Sequence, residues 1–98
     1  MSEQLSGDDK NKFLFSMLIM NYQTSAMINM GKLKDPVSQK EVKNLEMAKL
    51  AIDTLEMLEE KTKNNLQKEE SDLLADILKE MRLAYIKESS AEEKGVDS

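Results

Sequence analysis

The fold of this chain of 98 residues is decided by residues 45–70, which read LEMAKLAIDTLEMLEEKTKNNLQKEE. Their apolar residues recur at the three- and four-residue spacing of one buried helical stripe: Ala48, Ala51, Ile52, Leu55 and Leu58. Asn44 precedes the stripe as a helix N-cap, and Lys61 and Lys63 suit the negative end of a helix dipole. Asn64 can then adopt the left-handed conformation that ends a helix. This pattern predicts helix two over about Leu45 to Lys63.

A third helix follows almost immediately, over about Lys68 to Glu88, with Glu69 and Glu70 in its first turn. The same spacing gives it one buried stripe: Leu74, Ile77, Met81 and Ala84. A fold at residues 64–67 makes an antiparallel hairpin, in which Leu58 faces Leu74, Leu55 faces Ile77, Ala51 faces Met81 and Ala48 faces Ala84. Both helices keep a second apolar edge, which helix one is expected to cover: Met47, Leu50 and Met57 on helix two, Leu78 and Tyr85 on helix three.

Helix one is predicted from about Asp9 to Met30, with Asp8 or Asp9 as its cap and Gly31 after its last turn. We therefore expect an all-α fold of three helices, in which the hairpin of helices two and three is covered by helix one. One helical domain, residues 10–88, lies between a disordered N-terminal tail (1–9) and a disordered acidic C-terminal tail (89–98). A turn is predicted at residues 35–36, and residues 37–42 are expected to be extended. The sequence does not decide whether this segment pairs with another strand.

Helix one has no charged residue from Phe13 to Gly31, a run of 19 residues. A helix with one face in water normally carries charge on that face. A transmembrane span would be near the required length, but three amides and three hydroxyls oppose insertion. A secretion signal would need a basic segment before FLFSMLIM (13–20), where the chain is acidic. An oligomer interface fits best, because the cores of interfaces are depleted in charge.

This interpretation predicts a homo-oligomer, with a dimer favoured, that associates through helix one. The interface candidates are Phe13, Phe15, Met17, Met20, Asn21 and Met27. Asn21, Ser25 and Asn29 lie four residues apart and form an uncharged strip, and buried Asn can fix the register of paired helices. Four of the eight Met residues lie on helix one, which also favours a peripheral membrane or client-binding adaptor as the alternative function.

The composition opposes catalysis and cofactor binding. The chain has no Cys and no His, which removes thiolate nucleophiles, the commonest general base and the usual zinc ligands. Fourteen basic residues against 19 acidic residues give a net charge of −5, which opposes binding to nucleic acid or anionic membranes. We expect no enzyme activity, no cofactor and no metal, in a soluble protein of the bacterial cytoplasm.

Polar residues on helices two and three predict structural roles. Arg82 is the single arginine and lies within reach of Asp53, with Glu46 equally well placed, so we expect an interhelical ion pair at the edge of the core. Five acidic residues suggest a carboxylate metal site, but without His they fit a solvated face better: Glu56, Glu59, Glu60, Asp72 and Asp76. Thr62 between two lysines resembles a phosphate site, but its position at a helix C-terminus repels anions.

The segment of residues 45–70 resembles a bacterial family, domain of unknown function 1844. That family carries a phrase close to IDxLxxLxEKTKGNLxxEE, followed by a helix ending in LRxxY. The matches to the phrase are Ile52, Asp53, Leu55, Leu58, Glu60, Lys61, Thr62, Lys63, Asn65, Leu66, Glu69 and Glu70. Those to the ending are Met81, Arg82 and Tyr85, and Gly31, Asp35 and Pro36 look like the family's glycine and proline turn. The resemblance spans roughly residues 13–86, which argues against a removable signal, and it implies no assigned activity.

Two positions depart from the family's pattern. Asn64 replaces its usual Gly, and Asn still permits a left-handed turn. A Gly that follows the proline turn is also missing from PVSQKE (36–41), which leaves the conformation of that loop open.

Overall fold

The computed structural model describes the backbone of residues 7–97, and the side chains of that range apart from Val42 and residues 92–97. The chain folds as α1 (Gly7–Asn29), β1 (Met30–Lys34), β2 (Glu41–Lys43), α2 (Leu45–Lys61) and α3 (Lys68–Asp97). The predicted three-helix architecture is confirmed, because α1 packs against both α2 and α3. The two strands add a β-hairpin between α1 and α2.

The ends of α2 follow the capping residues that the sequence predicts. The Asn44 side-chain oxygen accepts a hydrogen bond from the backbone N–H of Met47 at 3.1 Å, which confirms the N-cap. The C-terminus comes two residues earlier than predicted, because the Lys63 N–H bonds the Glu60 carbonyl three residues back, at 3.3 Å, and so ends the four-residue pattern of the α-helix. Asn64 has a φ of 68° and makes the left-handed turn into the next helix.

The last helix is longer than the sequence predicts. Its start is capped by the Glu70 side chain, which accepts the Gln67 N–H at 2.9 Å. Its backbone continues nine residues past Glu88, through the segment predicted as a disordered acidic tail, because Ala, Glu and Lys there favour helix. At the other end, residues 7–9 of the predicted N-terminal tail form the first turn of α1, so Asp8 and Asp9 lie within the helix and the prediction that one of them caps it is wrong. Residues 1–6 lie outside the described part.

The segment between α1 and α2 forms a strand pair, which the sequence leaves open. The prediction that residues 37–42 are extended is wrong for residues 37–40, because the turn occupies residues 36–38 and the second strand begins at Glu41. β1 and β2 are antiparallel, with Met30 opposite Lys43 and Lys34 opposite Glu41. The carboxylate of Asp35 accepts the Val37 N–H and the Ser38 hydroxyl, at 3.0 and 3.2 Å, and so holds the turn.

Two further features define this hairpin. Gln39 has a φ of 62°, so a non-glycine residue occupies a left-handed position in the turn. At the base of the hairpin, the Asn44 N–H donates to the Asn29 carbonyl at 2.7 Å and joins the start of α2 to the end of α1. Gly31, which the sequence places after the last turn of helix one, has a φ of 80° as predicted.

The core draws on all three helices and the first strand. Its buried residues are Ile19, Ala26, Met30, Ala48, Ala51, Ile52, Leu55, Leu74, Ile77, Leu78 and Met81. Six of the eight residues predicted to pair across the α2–α3 hairpin are among them, and the other two, Leu58 and Ala84, pack partly buried against the core. No polar side chain of the described residues is buried, so apolar burial holds the fold together.

Contacts at both ends of the bundle set the direction of the helices. The end of α1 meets the start of α2 at Asn29 and Asn44. The start of α1 meets the start of α3, where Lys12 Nζ lies 2.8 Å from Glu69 Oε2. α2 is therefore antiparallel to α1 and α3, and the molecule is elongated, with principal extents of 55 × 30 × 16 Å.

Candidate functional site

The first helix is apolar on the side that faces water as well as on the side that faces the core. Ile19 and Ala26 are buried, and the opposite side carries exposed residues at three- and four-residue spacing. We call this side the outer face: Phe13, Met17, Met20, Asn21 and Thr24. Phe13, Met17 and Met20 expose 49%, 47% and 50% of their surface, and none of the five residues is charged.

The structure separates the six predicted interface residues into two groups. Phe13, Met17, Met20 and Asn21 lie on the outer face. The other two, Phe15 and Met27, are partly buried and pack against the core. Phe15 also lines a groove of about 560 Å³ between α1 and the α2–α3 turn, beside Leu18 and Leu66.

Only one amide of the predicted polar strip is available for a partner. Asn29 Nδ2 donates to the Ser25 carbonyl at 2.8 Å and lies 3.5 Å from the Ser25 hydroxyl, so the amino group of Asn29 already has partners within α1. Asn21 is exposed, and its side chain has no hydrogen-bond partner within the described part of the chain. The outer face therefore contains one unpaired amide among apolar side chains.

A second exposed apolar stripe runs along α2 and was expected to lie under helix one. Met47, Leu50 and Met57 are each about half exposed, and we call them the α2 stripe. Thr54 lies between them, and its hydroxyl is satisfied by the Leu50 carbonyl at 2.8 Å. The prediction that helix one covers these three residues is wrong. α1 packs on the buried stripes of α2 and α3, and it is too narrow to cover the α2 stripe as well.

The predicted ion pair between Asp53 and Arg82 is not formed. Arg82 donates from Nε and Nη2 to Glu56 Oε2, at 2.9 and 2.7 Å. Asp53 instead accepts from Lys49, four residues earlier on the same helix, at 3.1 Å from each oxygen. Asp53 therefore pairs with its neighbour on the same helix and not across to α3. The hydrogen bond between Lys49 and Asp53 raises the pKa of the Lys49 ammonium.

These two ion pairs border one shallow groove between α2 and α3. The groove has a volume of about 250 Å³, and Ile52, Tyr85 and Ile86 contribute to its lining. All four charged groups remain in contact with water, where ion pairs contribute little to stability. The ion pairs therefore have a modest structural role at the edge of the core.

A third charged cluster, which the sequence does not predict, joins the β-hairpin to α3. Glu88 lies between Lys32 at 3.1 Å and Lys43 at 3.2 Å, and its side chain is only 21% exposed. Hydrogen bonds from the two ammonium groups hold the pKa of the Glu88 carboxyl below its ordinary value of 4.5. The only sequence signal is a glutamate on the apolar stripe of helix three, three residues beyond Tyr85.

The remaining acidic residues are spread along exposed helix surfaces. Glu56 is held by Arg82, and Asp72 accepts from Lys68 at 2.9 Å. Within residues 7–97, the described side chains contain no group of three or more acidic residues that could hold a metal ion. None of the described helices is both long enough and apolar enough to cross a membrane.

The comparisons with known proteins identify one family. The chain matches no curated protein and no solved structure. A family model described as a domain of unknown function (DUF1844) matches residues 12–87. This range includes the outer face, the β-hairpin, α2 and most of α3. The chain therefore belongs to the domain of unknown function 1844 family.

Proposed function

We propose that this protein is a non-catalytic self-association module, most simply a homodimer, in which the outer face of α1 meets a second copy. One observation carries the proposal: Phe13, Met17 and Met20 stand about half exposed on a helix face without charge. An apolar face without charge is typical of the buried centre of an interface. The proposed setting, the bacterial cytoplasm, rests on the resemblance to a bacterial family.

The exposed apolar area supports an interface of ordinary size. Large half-exposed apolar side chains lie on two helices that pack against each other: Phe13, Leu14, Met17, Leu18 and Met20 on α1, and Met47, Leu50 and Met57 on α2. A stable interface buries about 800 Å² per partner, a size that needs exposed side chains beyond the outer face.

The small size of the chain also favours association. A chain of 98 residues buries only about 60–65% of the surface that its unfolded form exposes. The core of the described residues consists of eleven buried residues, three of them alanine. A second copy on the outer face would extend this core.

Size-exclusion chromatography with light scattering, over a dilution series, tests the proposal. We expect a mass of twice 11.2 kDa that falls toward one copy at low concentration. Met17→Lys places a charge in the interface and should shift the mass to that of one copy. Leu83→Lys is the matched control, because Leu83 is 54% exposed on α3, away from the outer face, and this variant should keep the wild-type mass.

Circular dichroism of Met17→Lys should show unchanged helix content, which separates loss of association from loss of fold. A wild-type protein with the mass of one copy at all concentrations would refute the proposal. An equal loss of mass in Met17→Lys and Leu83→Lys would refute the assignment to the outer face.

A second candidate function is an adaptor that binds a client helix or a membrane surface through the same face. Met17 and Met20 favour it, because flexible methionine side chains adapt to varied partners. The net charge of −5 opposes an anionic membrane. Co-sedimentation with liposomes of neutral and of anionic lipid separates this candidate from self-association.

A further inference from the structure

The unpaired amide of Asn21 restricts how two copies can meet on the outer face. Asn21 is surrounded along the helix by Met17, Met20 and Thr24, and its side chain has no partner among the described residues. Burying it against an apolar surface would leave its donors and acceptor unsatisfied, which is costly. An amide has both NH₂ donors and a carbonyl acceptor, so two copies of Asn21 can satisfy each other across a two-fold axis.

The position of the charges favours an axis close to this residue. The uncharged run extends from Phe13 to Gly31, and its midpoint is Tyr22, next to Asn21. An antiparallel pair of helices centred there lays one uncharged run on the other. An axis at Met17 would instead place the charged Lys10 opposite an uncharged position of the partner.

The charges at the start of α1 favour the antiparallel orientation over the parallel one. Asp8 and Asp9 lie in the first turn of α1, where the helix dipole is positive. A parallel pair would bring the acidic residues of both copies together and align the two dipoles. An antiparallel pair centred at Asn21 separates the two first turns by roughly 40 Å at a rise of 1.5 Å per residue.

We propose that two copies associate through antiparallel α1 helices, on a two-fold axis at Asn21 where the two side-chain amides hydrogen-bond to each other. This inference rests on the proposed function and adds its orientation and register. Asn21 acts as a specificity residue, comparable to the buried Asn that selects one register in coiled coils.

Site-specific crosslinking tests the geometry directly, because the chain has no native cysteine. The full-length variants Met20→Cys and Phe13→Cys, both altered on the outer face and both keeping Asn21, are treated with a short bis-maleimide crosslinker. Met20→Cys should give a covalent dimer in high yield, because its two copies lie roughly 3 Å apart along the helix axes in this arrangement. Phe13→Cys should give at most a tenth of that yield, because two copies of residue 13 lie roughly 24 Å apart along the helix axes in this arrangement.

Light scattering on the same samples separates the failure of this inference from that of the proposed function. Crosslinking of both variants means that the helices are parallel, and crosslinking of neither in a dimeric sample means that the copies meet elsewhere. Each result overturns the geometry and keeps self-association. The mass of one copy in both variants and in the wild type overturns both proposals.

A second variant tests the role of the amide itself. In Asn21→Leu the penalty for other registers disappears, so the protein should stay associated but sample both orientations. The double variant Asn21→Leu with Phe13→Cys should then crosslink at least five-fold more than Phe13→Cys alone. An unchanged yield would show that Asn21 does not select the orientation.

Discussion

Gln39 is the residue whose backbone conformation differs most from what its side chain favours. Its φ of 62° lies in the left-handed region, which costs most non-glycine residues roughly 1–2 kcal/mol. The turn still forms, because Asp35 accepts two hydrogen bonds and the Asp35 carbonyl accepts the Gln39 N–H at 2.8 Å. The hairpin therefore contains backbone strain that one substitution can remove.

Gln39→Gly should raise the free energy of unfolding by about 0.5–1 kcal/mol, because glycine adopts this φ without a steric cost. Urea denaturation followed by circular dichroism measures the change. Gln39→Ala is the matched control, since it also removes the 3.5 Å contact of the side chain with the Pro36 carbonyl and keeps the strain. Equal stability of the two variants would contradict the prediction.

The sequence predicts those residue conformations that depend only on neighbouring positions in the chain. The cap at Asn44 and the left-handed positions at Gly31 and Asn64 follow from residue type and a few adjacent positions. The strain at Gln39 cannot be predicted from residue type, because glutamine rarely adopts that conformation and the closing of the turn onto Asp35 imposes it.

Between elements, the cluster of Lys32, Lys43 and Glu88 attaches the β-hairpin to α3. It joins residues 45 or more positions apart in the chain, outside the apolar core. Because the Glu88 side chain is largely shielded and has two cationic partners, it should contribute more than an isolated surface pair.

The Glu88 cluster predicts a defined dependence of stability on pH. The pKa of Glu88 is lower in the folded chain than its ordinary value of 4.5, so protons bind more tightly to the unfolded state. The stabilisation is complete above about pH 5 and decreases as the pH falls through 4.5 toward the folded pKa. Glu88→Gln should therefore be less stable than the wild type near pH 7, and the difference should shrink toward pH 3.

Urea denaturation of both proteins at several pH values between 3 and 8 measures this difference. Lys68 and Asp72 supply the matched control, because their exposed pair lies four residues apart on one helix. Asp72→Asn should change stability little at any pH. A Glu88→Gln difference that stays constant down to pH 3 would contradict the proposed linkage.

Apolar spacing in the sequence predicts which faces of the elements are buried, and it succeeds for the α2–α3 hairpin. It does not predict the exposure of Met47, Leu50 and Met57, because spacing shows that a face is apolar and cannot show which neighbour reaches it. The spacing of apolar residues does not predict the Glu88 cluster either, because the cluster forms only when the strand pair brings Lys32 and Lys43 to α3.

For the whole molecule, self-association would make stability depend on protein concentration. If folding and association are coupled, the midpoint of thermal unfolding should rise by several degrees over a hundred-fold increase in concentration. Circular dichroism in cells of different path length measures it. Met17→Lys should lose this dependence, and Leu83→Lys should keep it. A wild-type midpoint that does not change with concentration would argue against the outer face as an interface.

Part of the candidate site could be predicted from the sequence. The uncharged run of helix one is visible in the sequence, and four of its six selected residues lie on the outer face. Phe15 and Met27 could not be distinguished from them, because a helix that is apolar on most sides gives no clear direction to its core. Only packing against α2 and α3 determines which side of α1 faces water.

The closed base of the β-hairpin has a practical consequence for engineering. The bond between the Asn44 N–H and the Asn29 carbonyl joins α1 to α2 directly, so the hairpin tip adds little to the bundle. Val37 at that tip is 91% exposed. A peptide epitope or a small reporter domain inserted after Val37 should leave the helices assembled, since exposed loop tips are where insertions succeed most often. Such an insertion would place a label at the end of the molecule without altering either helix stripe.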